Sequence, residues 1–206
     1  MGYFRRELRR TQHFLLSLLN YQERCDIIIV SSNDSVSNLF QVQGVGASCD
    51  GLTVSVLYLP PASTSPTLLL YDTRGLLQAT PDSPFASHVL NTSSSRVTGV
   101  HWNPTIAATF CVTFADGALA MYTLGVASGN VGGANCDTLP PATGVVAISW
   151  SPKGKQMVAV KKDGSLTQYK PDLKEAKSWA GPTKAGLVPV SIFWLSTYEF
   201  LVGYRF

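Results

Sequence analysis

The chain has 206 residues, 45% of them apolar and only 14% charged, with a formal net charge of +3. That length suits one domain with a sizeable core, and so small a charge excludes an electrostatic argument for nucleic-acid binding. No run of 18 apolar residues occurs, so no spanning helix is expected.

Residues 1–24 differ from everything after them. Arg5, Arg6, Arg9 and Arg10 precede the apolar F-L-L-S-L-L of residues 14–19, and nothing breaks a helix before Asn20. The apolar core is shorter than the roughly 7–15 residues of a secretory signal, and no small-residue cleavage pattern follows. A targeting signal, a helix packed on the next domain and an amphipathic helix or artefactual exon all stay open here. The I-I-I-V of residues 27–30 reads as a short buried strand, a remnant of a first blade, and residues 31–38 as a polar loop. Residues 1–40 are therefore set apart as an amino-terminal helix and loop, and residues 41–206 as the main domain.

Within that domain one unit recurs. A weak copy opens with A-S-C-D-G at 47–51, then a strand at 52–59 and L-L-L-Y-D at 68–72. The proline-rich stretch 60–66 separates its second and third strands as an elongated hairpin loop. Residues 75–87, with Pro81 and Pro84, read as a loop leading to an outer strand near 88–90. Asn91-Thr92-Ser93 fits a glycosylation sequon of little weight. A full copy, V-T-G-V-H-W-N-P-T-I-A-A-T-F-C-V-T-F-A-D-G-A-L-A-M-Y, fills residues 97–122. A glycine-rich loop at 125–135 precedes a strand at 136–139. A second full copy, V-V-A-I-S-W-S-P-K-G-K-Q-M-V-A-V-K-K-D-G-S-L-T-Q-Y, fills residues 145–169, and Trp102 and Trp150 stand 48 residues apart. A connector at 178–186 leads to a partial copy, V-S-I-F-W and then F-L-V-G-Y, over residues 190–204.

Short β-branched and aromatic runs punctuated by Asn-Pro, Pro-Lys-Gly and Asp-Gly are strand and hairpin signals. A four-stranded unit repeating every 40–50 residues or so, with an aromatic-plus-turn signature, is the mark of a β-propeller. The run Met157-Val158-Ala159-Val160 lacks polar alternation, as a strand covered on both faces should. The fold class is therefore all-β, an incomplete WD-type propeller of about three to four blades. A closed ring takes about four to eight, so the sequence reads as a piece of a longer chain that would expose a sheet face and an edge where it is cut.

Candidate chemistry is sparse. The cysteines at 25, 49, 111 and 136 form no C-x-x-C pair and have no histidine at ligand spacing, which argues against zinc and other cofactors. Their spacing favours a reducing compartment, with Cys111 a small core residue. His101 reads as structural, on a sheet face or loop-proximal edge. Asp72, Asp116 and Asp163 recur at turns or strand ends, where such aspartates bond their own backbone. Repeat-equivalent residues do not gather the acid–base or nucleophile–base pair that a hydrolase needs. No catalytic, metal or cofactor site is assigned, and no enzyme is expected. Trp102, Trp150 and Trp194 each close a first strand and are read as packing between blades.

The lysines bear on binding. In a blade of successive hairpins, alternate turns fall on opposite rims. Lys153 and Lys155 sit in the first hairpin of their blade, and Lys170, Lys174 and Lys177 flank the exit of its third strand, so these five are expected on one rim, diluted by Asp172 and Glu175. Lys161 and Lys162 are expected on the other. Solvated loop tips would carry the same residues. The functional reading is an acidic protein partner steered onto one basic rim, since rims are loop-built surfaces on a rigid scaffold.

The series V-A-I-S-W-S-P-K-G at 146–154, K-D-G-S-L-T-Q-Y at 162–169, W-N-P-T at 102–105, A-D-G-A at 115–118, T-L-P at 138–140, and the segments 47–53 and 191–202 resembles the amino-terminal propeller of the CAN nucleoporins. These are large phenylalanine-glycine nucleoporins of the cytoplasmic filaments. The similarity runs from about residue 42 to 202. W-S-P-x-G-K alone is common in WD-type blades; the ordered series is more specific. The resemblance implies a seven-bladed propeller at the cytoplasmic side of the nuclear pore complex and nuclear envelope. It would serve messenger RNA export and protein transport by recruiting a DEAD-box RNA helicase and contacting other nucleoporins. It implies no direct nucleic-acid contact, no membrane insertion and no small-molecule substrate. Residues 1–40 depart from the family's start, and no helicase-contact residue is carried over. Two other readings compete: a generic WD-repeat adaptor in another complex, and an extracellular or organellar propeller hydrolase.

Overall fold

A computed structural model describes residues 41–60, 65–76, 84–90, 95–125, 134–182, 184, 186–196 and 199–206. The helix and strand expected within residues 1–40 lie outside these.

The described chain is strand after strand. The first sheet holds β1 (Gln41–Ala47), β2 (Thr53–Leu59), β3 (Thr67–Asp72) and β4 (Ala86–Val89), in that order, with a one-turn helix α1 (Thr73–Leu76) between the last two. The second holds β5 (Val97–Trp102), β6 (Thr109–Phe114), β7 (Leu119–Leu124) and β8 (Ala134–Leu139). The third holds β9 (Val145–Trp150), β10 (Met157–Lys161), β11 (Leu166–Tyr169) and β12 (Glu175–Trp179). The last pairs β13 (Val188–Ser196) with β14 (Glu199–Arg205). Every pairing is antiparallel. Three four-stranded blades and a two-stranded one make an unclosed propeller arc, as the repeat predicts.

Three apolar joints hold neighbouring blades together, and alternation along each strand builds them. On β6, Phe110, Val112 and Phe114 join Leu57, Leu68 and Leu70 of the first blade, while Cys111 faces Ile148, Met157 and Ala159 of the third. On β10, Met157 and Ala159 serve that second joint, while Val158 and Val160 meet Ile192 and Trp194 of the fourth blade. Successive side chains of a strand point to opposite faces. An inner strand of a middle blade is therefore covered on both faces, and all six residues of β6 are buried, Thr109 and Thr113 among them.

Several boundaries differ from expectation. The strand β1 was not foreseen, because Q-V-Q-G-V-G-A lacks a β-rich run. Gly46 serves packing, since a Cβ there would come within 3.1 Å of the Trp102 indole. The outer strand β12 is also unforeseen: all five of its residues are exposed, so no hydrophobic period marks it. The outer strands β4 and β8 each begin two residues earlier than read, and α1 overlaps the start of the stretch read as loop at 75–87.

Candidate protein-docking rim

The second and third blades are fastened to each other at both rims. On the first rim, Asn103 follows Trp102 and is wholly buried. Its Nδ2 donates to the Gly154 carbonyl at 2.8 Å, while its Oδ1 accepts from the backbone N–H groups of Thr105 and Ile106. Thr105 Oγ1 donates to the Lys153 carbonyl at 3.0 Å. Gly154 has φ of +64°, and a Cβ there would collide with the Asn103 amide. The turn carrying Lys153 and Lys155 is thus bolted to the turn of the preceding blade. Burying a polar group is costly unless its bonds are satisfied, and both ends of the Asn103 amide have partners.

On the opposite rim, the Val145 N–H donates to the Gly117 carbonyl, the Lys162 N–H to the Gly144 carbonyl, and Lys162 Nζ to the Asp116 carbonyl at 2.7 Å. The turn aspartates bond their own backbone as expected. Asp116 Oδ1 accepts from the Ala118 N–H and Asp163 Oδ1 from the Ser165 N–H. The Ser165 hydroxyl and N–H hold the Asp163 carboxyl below its ordinary range. Asp72 is not their equivalent. It ends a third strand, on the first rim, and pairs with Arg74, whose guanidinium lowers it to about 2.

The tryptophans do pack between blades. Trp102 Nε1 donates to Ser55 Oγ at 3.0 Å and Trp150 Nε1 to the His101 carbonyl at 3.1 Å, each reaching back one blade. The Trp194 N–H donates to Ser149 Oγ at 3.0 Å. His101 Nε2 lies 3.3 Å from Thr113 Oγ1, and burial pushes its pKa down to about 4, so the imidazole is neutral. Burial pushes the Cys111 thiol up, out of the reactive range.

Strand direction places the five lysines as follows. Lys153 and Lys155 are exposed in the β9–β10 turn, and Lys170 and Lys174 in the β11–β12 turn of the same rim. Lys177 is the third residue of β12, opposite Gln168, away from the turn where it was expected. β12 begins at Glu175, immediately after the turn, so Lys177 falls within the strand. Lys174 Nζ is paired with Asp172 at 2.9 Å, which raises its pKa. Lys153, Lys155 and Lys170 enter no ion pair among the described residues. The sequence reading missed the Asn103–Thr105 bolt, whose signal is the Asn-Pro-Thr after Trp102. It also missed Arg74 and Glu199 on the same rim, and the pairing of Asp72 with Arg74.

Fold and rim together define a class: a WD-type propeller whose turns are pinned blade to blade. Comparison with known proteins narrows it. Residues 52–206 match the NUP159/214 beta propeller model, and the chain belongs to that family. It is 30% identical over 172 residues to the human nuclear pore complex protein Nup214, covering 80% of this chain and 8% of that protein. The Drosophila melanogaster protein of the same name is 36% identical over 128 residues, covering 60% of this chain and 7% of that protein. Nuclear pore complex protein 14 of Caenorhabditis elegans is 26% identical over 201 residues, covering 91% of this chain and 14% of it. The chain thus spans a small fraction of these relatives' length. Among solved structures, the Cps50 (Swd1) β-propeller domain of Myceliophteria thermophila superposes with a TM-score of 0.56 at 12% identity, over 75% of this chain and 47% of that one. Chaetomium thermophilum Raptor does so with 0.59 at 8% identity, over 81% and 15%. At such identities the likeness speaks for the fold alone.

Proposed function

We propose that this chain is a docking module of the nuclear pore complex, on its cytoplasmic side, serving messenger RNA export and nucleocytoplasmic transport by recruiting a DEAD-box RNA helicase. The observation that carries the reading is membership of the NUP159/214 propeller family over residues 52–206, together with relatives named as nuclear pore complex proteins. Other nucleoporins are its further partners. It acts by binding protein, without catalysis and without direct contact to nucleic acid, membrane or a small-molecule substrate.

The helicase docks on the first rim, at Lys153, Lys155 and Lys170, with Lys174 and Lys177 contributing from the same blade. Two things support this placement. The three leading lysines carry no ion pair among the described residues, and the Asn103–Gly154 and Thr105–Lys153 bonds hold one of their turns still before binding. Pre-ordered loops lose less entropy on docking, and rim charges act mainly on association rate.

The test is a titration of the helicase against the chain with Lys153, Lys155 and Lys170 all changed to Glu, over a range of salt. Affinity should fall about tenfold or more near 50 mM salt, and the difference should shrink as screening grows. Unchanged affinity at every salt concentration would remove the rim from the reading. No helicase binding by the unaltered chain would remove the partner.

A further inference from the structure

Apolar surface lies beside two of the rim lysines. Pro104 and Ile106 of the β5–β6 turn and Pro152 of the β9–β10 turn are exposed, Ile106 at 48%. Both turns belong to four-stranded blades that pack on each other. The Asn103 carboxamide joins them, accepting from the Ile106 N–H at 3.0 Å and donating to the Gly154 carbonyl at 2.8 Å. Only a carboxamide and two hydrogen bonds therefore separate Ile106 from the glycine that Lys153 and Lys155 flank. One aliphatic and two cationic side chains share one braced ledge.

The fold does not call for isoleucine here. Turns favour Gly, Pro, Asn, Asp and Ser, and Ile106 serves its turn by backbone alone. Its N–H goes to Asn103, and its carbonyl accepts from the Thr109 N–H at 3.0 Å. Its side chain belongs to none of the three apolar joints. A lone exposed aliphatic is ordinary; one pinned beside two lysines that enter no ion pair among the described residues is a mixed surface. Charge complementarity names what fits it. Carboxylates suit Lys153 and Lys155, and an apolar side chain suits Ile106 with its prolines. The first blade's share of this rim carries Asp50 and Asp72, which directs acidic groups toward the third blade.

We propose that Ile106 is the apolar anchor of the docking rim, which selects an acidic protein segment carrying one apolar side chain. That side chain seats against Ile106, Pro104 and Pro152, and the neighbouring carboxylates meet Lys153 and Lys155. The inference rests on the reading of this rim as a docking surface. It adds a short-range condition to long-range steering, which by itself would accept any acidic surface.

Two synthetic probes test it by fluorescence anisotropy with the 206-residue chain: a short glutamate-rich peptide with one central leucine, and the same peptide with serine there. The leucine peptide should bind about tenfold more tightly, the gain of burying one apolar side chain against another. Ile106→Ser should abolish that preference at every salt concentration, and Ile106→Leu should keep it. Lys153→Glu with Lys155→Glu should weaken both peptides and flatten their salt dependence. Circular dichroism should be unaltered in all variants, since the side chains are exposed and the backbone bonds stay. Equal binding of the two peptides by the unaltered chain overturns the anchor, and so does a preference that survives Ile106→Ser. Neither peptide bound at low salt also overturns it. A chain that discriminates the peptides but does not bind the helicase keeps the anchor and loses only that partner.

Discussion

Two buried polar residues carry more of this fold than their size suggests. Asn103 has no exposed surface and holds three groups in place: the Gly154 carbonyl and the N–H groups of Thr105 and Ile106. Asn103→Ala would leave the Gly154 carbonyl buried without this partner, at about 1–3 kcal/mol, and would return the N–H groups of the exposed residues Thr105 and Ile106 to water at a smaller cost. A total loss of about 3 kcal/mol in chemical denaturation is expected, and a loss below 0.5 kcal/mol or so would mean that water replaces the amide. His101 makes the chain sensitive to acid. Its pKa is about 4 in the fold against about 6.5 in an unfolded chain. Between those values the unfolded chain binds the extra proton, so stability falls as pH drops from about 6.5 to 4 and levels off below. The drop is up to about 3 kcal/mol, at 1.36 kcal/mol per pKa unit. The carboxylates of Asp72 and Asp163, whose pKa values are lowered, act in the same direction but only below their ordinary range. Replacing His101 with Gln should flatten the stability curve between pH 6.5 and 4 and leave the acid limb; denaturation midpoints across that range measure it.

Among the elements, the joints between blades repeat with local variation. The tryptophan closing β5 donates to a hydroxyl of the blade before it, and the one closing β9 to a carbonyl. Trp150→Phe keeps a ring but removes the indole N–H from the His101 carbonyl, and should cost about 1 kcal/mol in thermal or urea unfolding. Gly117 is more exacting. It has φ of +102°, and a Cβ would sit 2.7 Å from the Gly144 Cα, which belongs to the connector into the next blade. Gly117→Ala should cost about 2 kcal/mol, of the order of a strained backbone residue; a neutral result would show that the connector can retreat. These positions also explain what could be read without coordinates. Trp102, Trp150 and the Asp-Gly turns announce the blades because aromatic burial and hairpin turns each demand few residue types. The strand β1 stayed hidden because the indole of the next blade excludes side chains at Gly46. The strand β12 stayed hidden because its five exposed residues carry no pattern. The rim was legible only in part. Counting hairpins gave the side for Lys153, Lys155, Lys170 and Lys174, but Lys177 lies inside β12, a strand that its exposed residues do not announce.

At the scale of the whole molecule, stability is unevenly spread, because each blade contacts only its neighbours. The second and third blades have both faces covered: β6 is buried throughout, and four of the five residues of β10 are. Among the described residues the fourth blade is packed on one side alone and leaves Phe193, Leu195 and Leu201 exposed. In an array of this sort, stability is a sum of unit and nearest-neighbour terms, and opening starts where fewest apolar contacts must be broken. Amide exchange should therefore be slowest in β6, β7 and β10. It should be faster in β14, and fastest in β12, an edge strand with every residue exposed. The measurement should be made at low protein concentration. If β14 exchanged as slowly as β6 under those conditions, the arc would be opening as one cooperative body, and the joints could not be treated as separable contributions. If instead the order holds, deleting residues 188–206 should speed exchange in β10 much more than in β6, because Val158 and Val160 lose Ile192 and Trp194 while Phe110 and Val112 keep the first blade.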